Sequence, residues 1–284
     1  MALSPTAGAG YPWAVVSGLR RLLTRSPRPA GQVPPVDAPS WEVGWATAPG
    51  RRDENQDRVR TGPGWLVVCD GVGGHAGGAR AATLASDAAA AVLDAADGPT
   101  PARQAVEAAH RAVRGGQVDP GCHEMATTVT AARALGHGRG WVVAHVGDSP
   151  AWRVADGAAV QVTVDHTVAG QLLAEGAIGP AAAAHHPGRR FVTRVAGARE
   201  GVEPDVVEVD LAPGAALVVA TDGVADVLGP AELAAVVGAA PDASAAASAL
   251  VRAATVAGTT DDATVAVVRA EPAGAGRARR PGAG

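Results

Sequence analysis

Five aspartates stand beside apolar runs or turns where a fold could gather them. Asp70 closes WLVVC and is followed by glycine, Asp148 follows HVG and precedes serine, and Asp222 closes VVAT ahead of glycine. Asp57 ends RRDENQD, and Asp261 opens DDATV. Any one of them reads as a turn residue, since Asp-Gly is common in turns. Three repeats of one grammar, an apolar strand and then aspartate beside a small residue, point instead to carboxylates collected at strand ends. Oxygen donors of this kind suit a hard divalent cation, and a following glycine lets a backbone carbonyl approach it.

The glycine-rich stretch after Asp70 has a rival reading. GVGGHA, from Gly71 to Ala76, fits the G-x-G-x-x-G/A pattern of dinucleotide-binding turns. An acid at its mouth would repel a pyrophosphate unless a cation intervened. The ribose-binding acid expected about 20 residues on should end a second strand, whereas that region reads as one long alanine helix. That reading predicts an oxidoreductase with cofactor absorbance and no metal requirement. A phosphate-binding P-loop is excluded, because the chain has no lysine: all 24 basic side chains are arginine.

Positioning these acids takes a fold of some size, and 284 residues with 47% hydrophobic content can build one. A net charge of −4 gives no basic field for nucleic acid. Cys69 and Cys122 show no metal-binding or disulfide spacing. No apolar run reaches the roughly 18–20 residues of a membrane span, and the arginines after AVVSGL stand in the wrong order for a secretory signal. A cytoplasmic location is expected.

Residues 1–37 read as a disordered leader rich in proline, alanine and glycine, 38–270 as one domain, and 271–284 as a flexible tail. Strands are expected at Trp41–Thr47, Trp65–Cys69, Thr127–Arg133, Trp141–Val146, Ala151–Ala155, Ala159–Val164, Pro204–Asp210, Ala215–Ala220 and Thr264–Arg269. The tight turns from Thr127 to Val164 force antiparallel pairing, because a parallel crossover needs a dozen or more residues. Helices are expected at Gly77–Ala96, from Thr100 to Arg114, at Thr167–Glu175 and Pro230–Val237, and at Ala243–Ala257 capped by Asp242. The segment from Gly176 to Arg190 reads as a flexible flap with His185 and His186 in solvent. Strands and helices do not alternate, so the class is α+β with antiparallel sheets flanked by helices.

Six motifs in order, RRDENQD, CDGVGGHAGG, MATTVT, HVGDS, VVATDG and TDDATV, resemble those of the metal-dependent serine/threonine protein phosphatases, the PPM or type 2C family, and its bacterial members above all. The likeness runs from about Trp41 to Arg269. It implies a four-layer αββα sandwich with two central antiparallel sheets. It also implies two Mn²⁺ or Mg²⁺ ions, with Asp70 bridging them, the Gly71 carbonyl assisting, and Asp222 and Asp261 completing the first ion's shell. Asp57 would hold a metal-bound water, and Asp148 with Asp222 a third, weaker ion. Arg52 would grip the substrate phosphate through bidentate donors. Hydroxide generated there would attack phosphorus in line.

The implied activity is hydrolysis of phosphoserine and phosphothreonine in proteins, opposing a protein kinase, by a monomer. The alternative is a catalytically silent metal-binding regulatory domain of the same fold. Departures from the family pattern are Gln56, Val72, Ala126, Pro150 and Asp262; the last adds charge beside the site. His75 reads as a loop residue and Ser149 as no nucleophile, since no base adjoins it. Asp165, beside His166 in the family's DHT-like segment, is either a helper near the site or a helix N-cap.

Overall fold

Strands that carry valine on both faces need a packing layer on each side. In the computed structural model of the protein, which describes residues 41–72, 76–95, 100–118, 121–135 and 140–270, they have one. One sheet runs in the order β1 (Trp41–Ala48), β11 (Ala263–Ala270), β10 (Ala216–Ala220), β7 (Ala151–Ala155) and β8 (Ala158–Gln161). The other runs β2 (Asp57–Gly62), β3 (Trp65–Val72), β5 (Val129–Ala134), β6 (Gly140–Val146) and β9 (Asp205–Asp210), with the short β4 (Ala126–Thr127) on the end of β3. All these pairings are antiparallel.

The two-residue period of a strand decides which layer each side chain enters. Along β3, Trp65, Val67 and Cys69 pack with alanines and valines of α1 (Ala76–Ala95) and α2 (Thr100–Gly116). Leu66 and Val68, between them, face the opposite sheet. Along β11, Val265 and Val267 meet Leu233 of α6 (Pro230–Ala239) and Leu250 of α7 (Ala243–Val256), while Ala266 and Val268 turn inward. Between the sheets lie Trp141, Val143, Leu217 and Val219, with Trp41 edge-on to Trp141 at 5.4 Å. Each such valine or leucine contributes about 1.5–3 kcal/mol by leaving water. The result is the αββα sandwich that the motifs implied.

Asp242 caps α7 by accepting the Ala245 N–H at 2.6 Å. Thr167 caps α3 (Val168–Ala174) by accepting the Gly170 N–H, so Asp165 is not the cap. The expected strand Thr127–Arg133 is broken at Thr128, whose N–H leaves the ladder for the Asp70 carbonyl at 2.8 Å. The expected Ala159–Val164 ends at Gln161, because Thr163 Oγ1 instead takes the Ala151 N–H. Strand β2 was not expected at all. The segment 176–190 is structured: α4 (Pro180–Ala184) and a 3-10 turn at Pro187–Arg190 are followed by ion pairs from Arg189 and Arg190 to Asp226. The leader over 1–37 and the tail over 271–284 lie outside the described residues. No described helix is long and apolar enough to cross a membrane.

Candidate metal centre

Both sheets deliver acids to one end of the sandwich. Asp57 begins β2, and register sets it opposite Asp70 on β3. Asp148 follows β6, while Asp222 opens α5 (Asp222–Ala225) directly after β10. Asp261 lies just before β11. Thr221, the N-cap of α5, joins the sheets: its Oγ1 donates to Asp57 Oδ2 at 2.9 Å and accepts the Thr264 N–H at 3.0 Å. Asp70 is fixed by its main chain, donating to Thr128 Oγ1 at 2.9 Å and accepting from Thr127 Oγ1 at 2.7 Å.

The glycine after Asp70 answers to packing. A Cβ on Gly71 would fall 2.3 Å from the Gly78 carbonyl carbon, where α1 crosses the end of β3. Gly223 is similarly confined, since its Cβ would lie 2.0 Å from the Asp262 carbonyl oxygen. Glycine at both places lets backbone close around the acids. His75 lies outside the described residues.

Negative charge is concentrated here beyond what burial tolerates. Burial first, then Asp222 and Asp262, push the Asp57 carboxyl up to about 7, against hydrogen bonds from Thr264 and Thr221. Burial and then Asp222 push Asp148 up to about 7. Asp70 and Asp222 are raised well above the ordinary range, by burial and then by each other's neighbourhood: Asp57 and Asp148 for the first, Asp70 and Asp261 for the second. Asp57 Oδ1 and Asp222 Oδ1 are buried without a hydrogen-bond partner. Orphaned anionic oxygens facing other carboxylates fit hard divalent cations. The cluster is open rather than a closed cage: no three Asp, Glu, His or Cys among the described residues converge on a single ion position.

One reason is that Asp261 is otherwise engaged. Arg52 pairs with it through both terminal nitrogens, Nη2 reaching Oδ2 at 3.2 Å, and also reaches Asp262 Oδ2 at 3.3 Å. The family resemblance implies a substrate phosphate for Arg52; in the structure it sits at the rim, a third exposed, held by acids. Asp262 has a role the sequence did not reveal. It is buried, and its carboxylate accepts the Gly50 and Gln56 N–H groups, each at 2.8 Å. It thus pins the loop that carries Arg52 and leads into Asp57.

Asp165 stands beside the cluster, half-buried and bonded by Gln161 Nε2 at 2.7 Å, its carboxyl pushed up to about 7 by burial and then Asp148. Ser149 is buried and bonded to Thr128 Oγ1 at 2.7 Å, so another hydroxyl engages its side chain. His186 Nδ1 accepts the Gly188 N–H and His185 is exposed, so neither joins the acids. A cleft of about 150 Å³ opens onto the cluster between Asp222, Asp261, Asp226 and Arg190.

A family model described as protein phosphatase 2C matches residues 50–254. The serine/threonine protein phosphatase PstP of Mycobacterium tuberculosis is 33% identical over 183 residues, which cover 62% of this chain but only 34% of PstP, about a third of its length. The protein phosphatase PhpP of Streptococcus pneumoniae is 28% identical over 233 residues, covering 77% of this chain and 92% of PhpP. Among solved structures, the catalytic domain of PstP in complex with two manganese ions superposes with a TM-score of 0.73 at 27% identity, covering 82% of this chain and 99% of that one.

Proposed function

The chain belongs to the protein phosphatase 2C family, and from that premise we propose that it hydrolyses phosphoserine and phosphothreonine in proteins at a centre of two divalent cations. The observation that carries this reading is a crowd of carboxyls, Asp57 buried and Asp70, Asp148 and Asp222 half-buried, each raised by desolvation and by neighbouring acids, with unpartnered oxygens on Asp57 and Asp222.

Asp70, Asp222 and Asp261, with the Gly71 carbonyl, would hold Mn²⁺ or Mg²⁺; Asp57 would hold bound water, and Asp148 would serve a further ion beside Asp222. Such ions, when bound, supply Lewis-acid charge and bring a water's pKa toward neutrality. The chain's own residues do the rest. Thr221 occupies one oxygen of Asp57 and leaves the other to the site. Thr127 and Thr128 fix Asp70 by its main chain, so its carboxylate can turn inward without carrying the fold. Arg52 exchanges the Asp261 carboxylate for the substrate phosphate, to which a planar guanidinium presents two parallel donors. The cleft beside Asp222 and Asp261 admits the phosphorylated side chain. Substrates are then proteins phosphorylated by a serine/threonine kinase.

The test is hydrolysis of p-nitrophenyl phosphate and a phosphothreonine peptide with and without Mn²⁺. Turnover that depends on Mn²⁺ in both supports the reading. Metal-independent turnover, or none with Mn²⁺ supplied, overturns it.

A further inference from the structure

Asp148, like Asp261, belongs to no strand or helix. It lies in the turn after β6, and its carboxyl stands against the negative charge of Asp222. Something else must fix that turn. On one side, Ser149 is tied through its hydroxyl to Thr128 and through its carbonyl to Thr130 Oγ1 at 2.6 Å. On the other side everything converges on His166. The His166 N–H donates to the Gly147 carbonyl at 2.8 Å, and the Gly147 N–H donates to His166 Nδ1 at 3.1 Å. Both polar groups of the residue before Asp148 are therefore satisfied by a single histidine.

Gly147 needs the help. Its φ is +110°, and a Cβ there would lie 2.6 Å from Thr128. Only glycine fits, and glycine left unheld is the loosest point of a chain. The imidazole is itself fixed. His166 is 1% exposed, and with Nδ1 accepting, the ring proton belongs on Nε2, which reaches Asp205 Oδ2 at 3.1 Å. Asp205 opens β9 and is gripped in turn by Arg194 Nη1 at 2.9 Å. Hydrogen bonds from His166 and Arg194 hold its carboxyl well below the usual range, so it remains an acceptor. The His166 carbonyl also accepts the Thr193 N–H at 2.7 Å, which leaves the residue little freedom to shift.

We propose that His166, held in its Nε2-protonated form by Asp205, is a positioning residue that clamps Gly147 and so aims Asp148 at the cation it would share with Asp222. The proposal rests on the reading of Asp148 as a metal ligand. Outer partners of this kind orient ligands, and their loss typically weakens metal binding.

Two substitutions separate aiming from mere packing. His166→Asn keeps an acceptor where Nδ1 stands and loses the donor to Asp205. His166→Gln keeps a donor toward Asp205 and loses the acceptor for Gly147. Both leave a void and both lower the melting temperature. Mn²⁺ titration by calorimetry should set them apart. The Gln variant should bind the weakest ion on the order of 10–100-fold less tightly, with kcat falling at low Mn²⁺, returning at saturating Mn²⁺, and KM for a phosphothreonine peptide unchanged. The Asn variant should bind that ion as the wild type does.

Equal Mn²⁺ affinity in the wild type and the Gln variant overturns the proposal, as does an equal loss in both variants. Should the Gln variant not fold, the Asn variant alone decides, and a weakened ion there counts against the clamp. Nitrogen-15 spectra of the wild type offer an independent reading: protonation of His166 at Nδ1 rather than Nε2 also overturns it. A wild type that binds no Mn²⁺ at all is a different failure, that of the metal centre itself.

Discussion

Replacing Asp57 by asparagine should stabilise the metal-free protein while destroying its response to metal. The folded-state pKa of Asp57 is pushed up to about 7 from an ordinary 3.8, burial being the main cause. Ionising it inside the fold therefore costs roughly 4 kcal/mol. A raised carboxyl means that the folded chain takes up a proton at intermediate pH. The stability that protonated Asp57 contributes to the metal-free fold is then fully present below about pH 4 and is lost as pH climbs through about 7. Asparagine removes that cost and keeps the bond from Thr221 Oγ1 through its carbonyl oxygen. Its amide faces the place where Oδ1 has no partner, which gives back about 1–3 kcal/mol. The net gain at pH 8 is roughly 2 kcal/mol, or about 4–8 °C in Tm for a chain of this size. Thermal melts followed by circular dichroism, with a chelator present, at pH 8 and at pH 5, measure it. The advantage should shrink at pH 5, where the wild-type carboxyl is protonated. An asparagine variant no more stable than wild type at pH 8, or equally favoured at both pH values, refutes the reasoning.

Asp70→Ala and Asp222→Asn should each abolish Mn²⁺-dependent turnover of p-nitrophenyl phosphate, and wild-type rates in either would remove that acid from the mechanism. Arg52→Ala should raise KM for a phosphopeptide about 10–100-fold, the loss of a charge-assisted pair worth about 1.5–3 kcal/mol, with kcat less affected; an unchanged KM sends the phosphate elsewhere. Gly71→Ala should lower Tm, because its Cβ meets the Gly78 backbone at 2.3 Å, a clash costing about 1–3 kcal/mol, and a melting curve identical to wild type would contradict the close crossing of α1 and β3.

What the sequence made legible follows its strongest physical signals. Valine-rich runs such as LVVC and ALVVA must be buried on both faces, and the acids that close them lie at one end by antiparallel register. Asp70, Asp148 and Asp222 were readable for that reason. Strand β2 was not, because DRVRTG offers one valine among polar side chains. It is an edge strand, and Arg58 holds it by bonds to the Asn55 and Asp57 carbonyls and to Thr83. Asp262 was readable only as an added charge. Its actual work is to accept two N–H groups from a loop more than 200 residues away in sequence, and no local pattern announces that. Thr221 and His166 escaped for the same reason, since their partners Asp57 and Gly147 belong to other strands and turns. The break at Thr128 arises because the carbonyl of Asp70 competes for an N–H that strand periodicity would assign to the ladder.

The central claim is that these acids exist to hold cations, and the place where manganese binds tests it most directly. Anomalous diffraction from crystals soaked in Mn²⁺ should show two peaks at the end of the sandwich, within about 2–2.6 Å of Asp70 and Asp222 oxygens, with Asp261 drawn away from Arg52 toward the metal. Crystals at saturating Mn²⁺ with no peak beside Asp70 and Asp222 would contradict it.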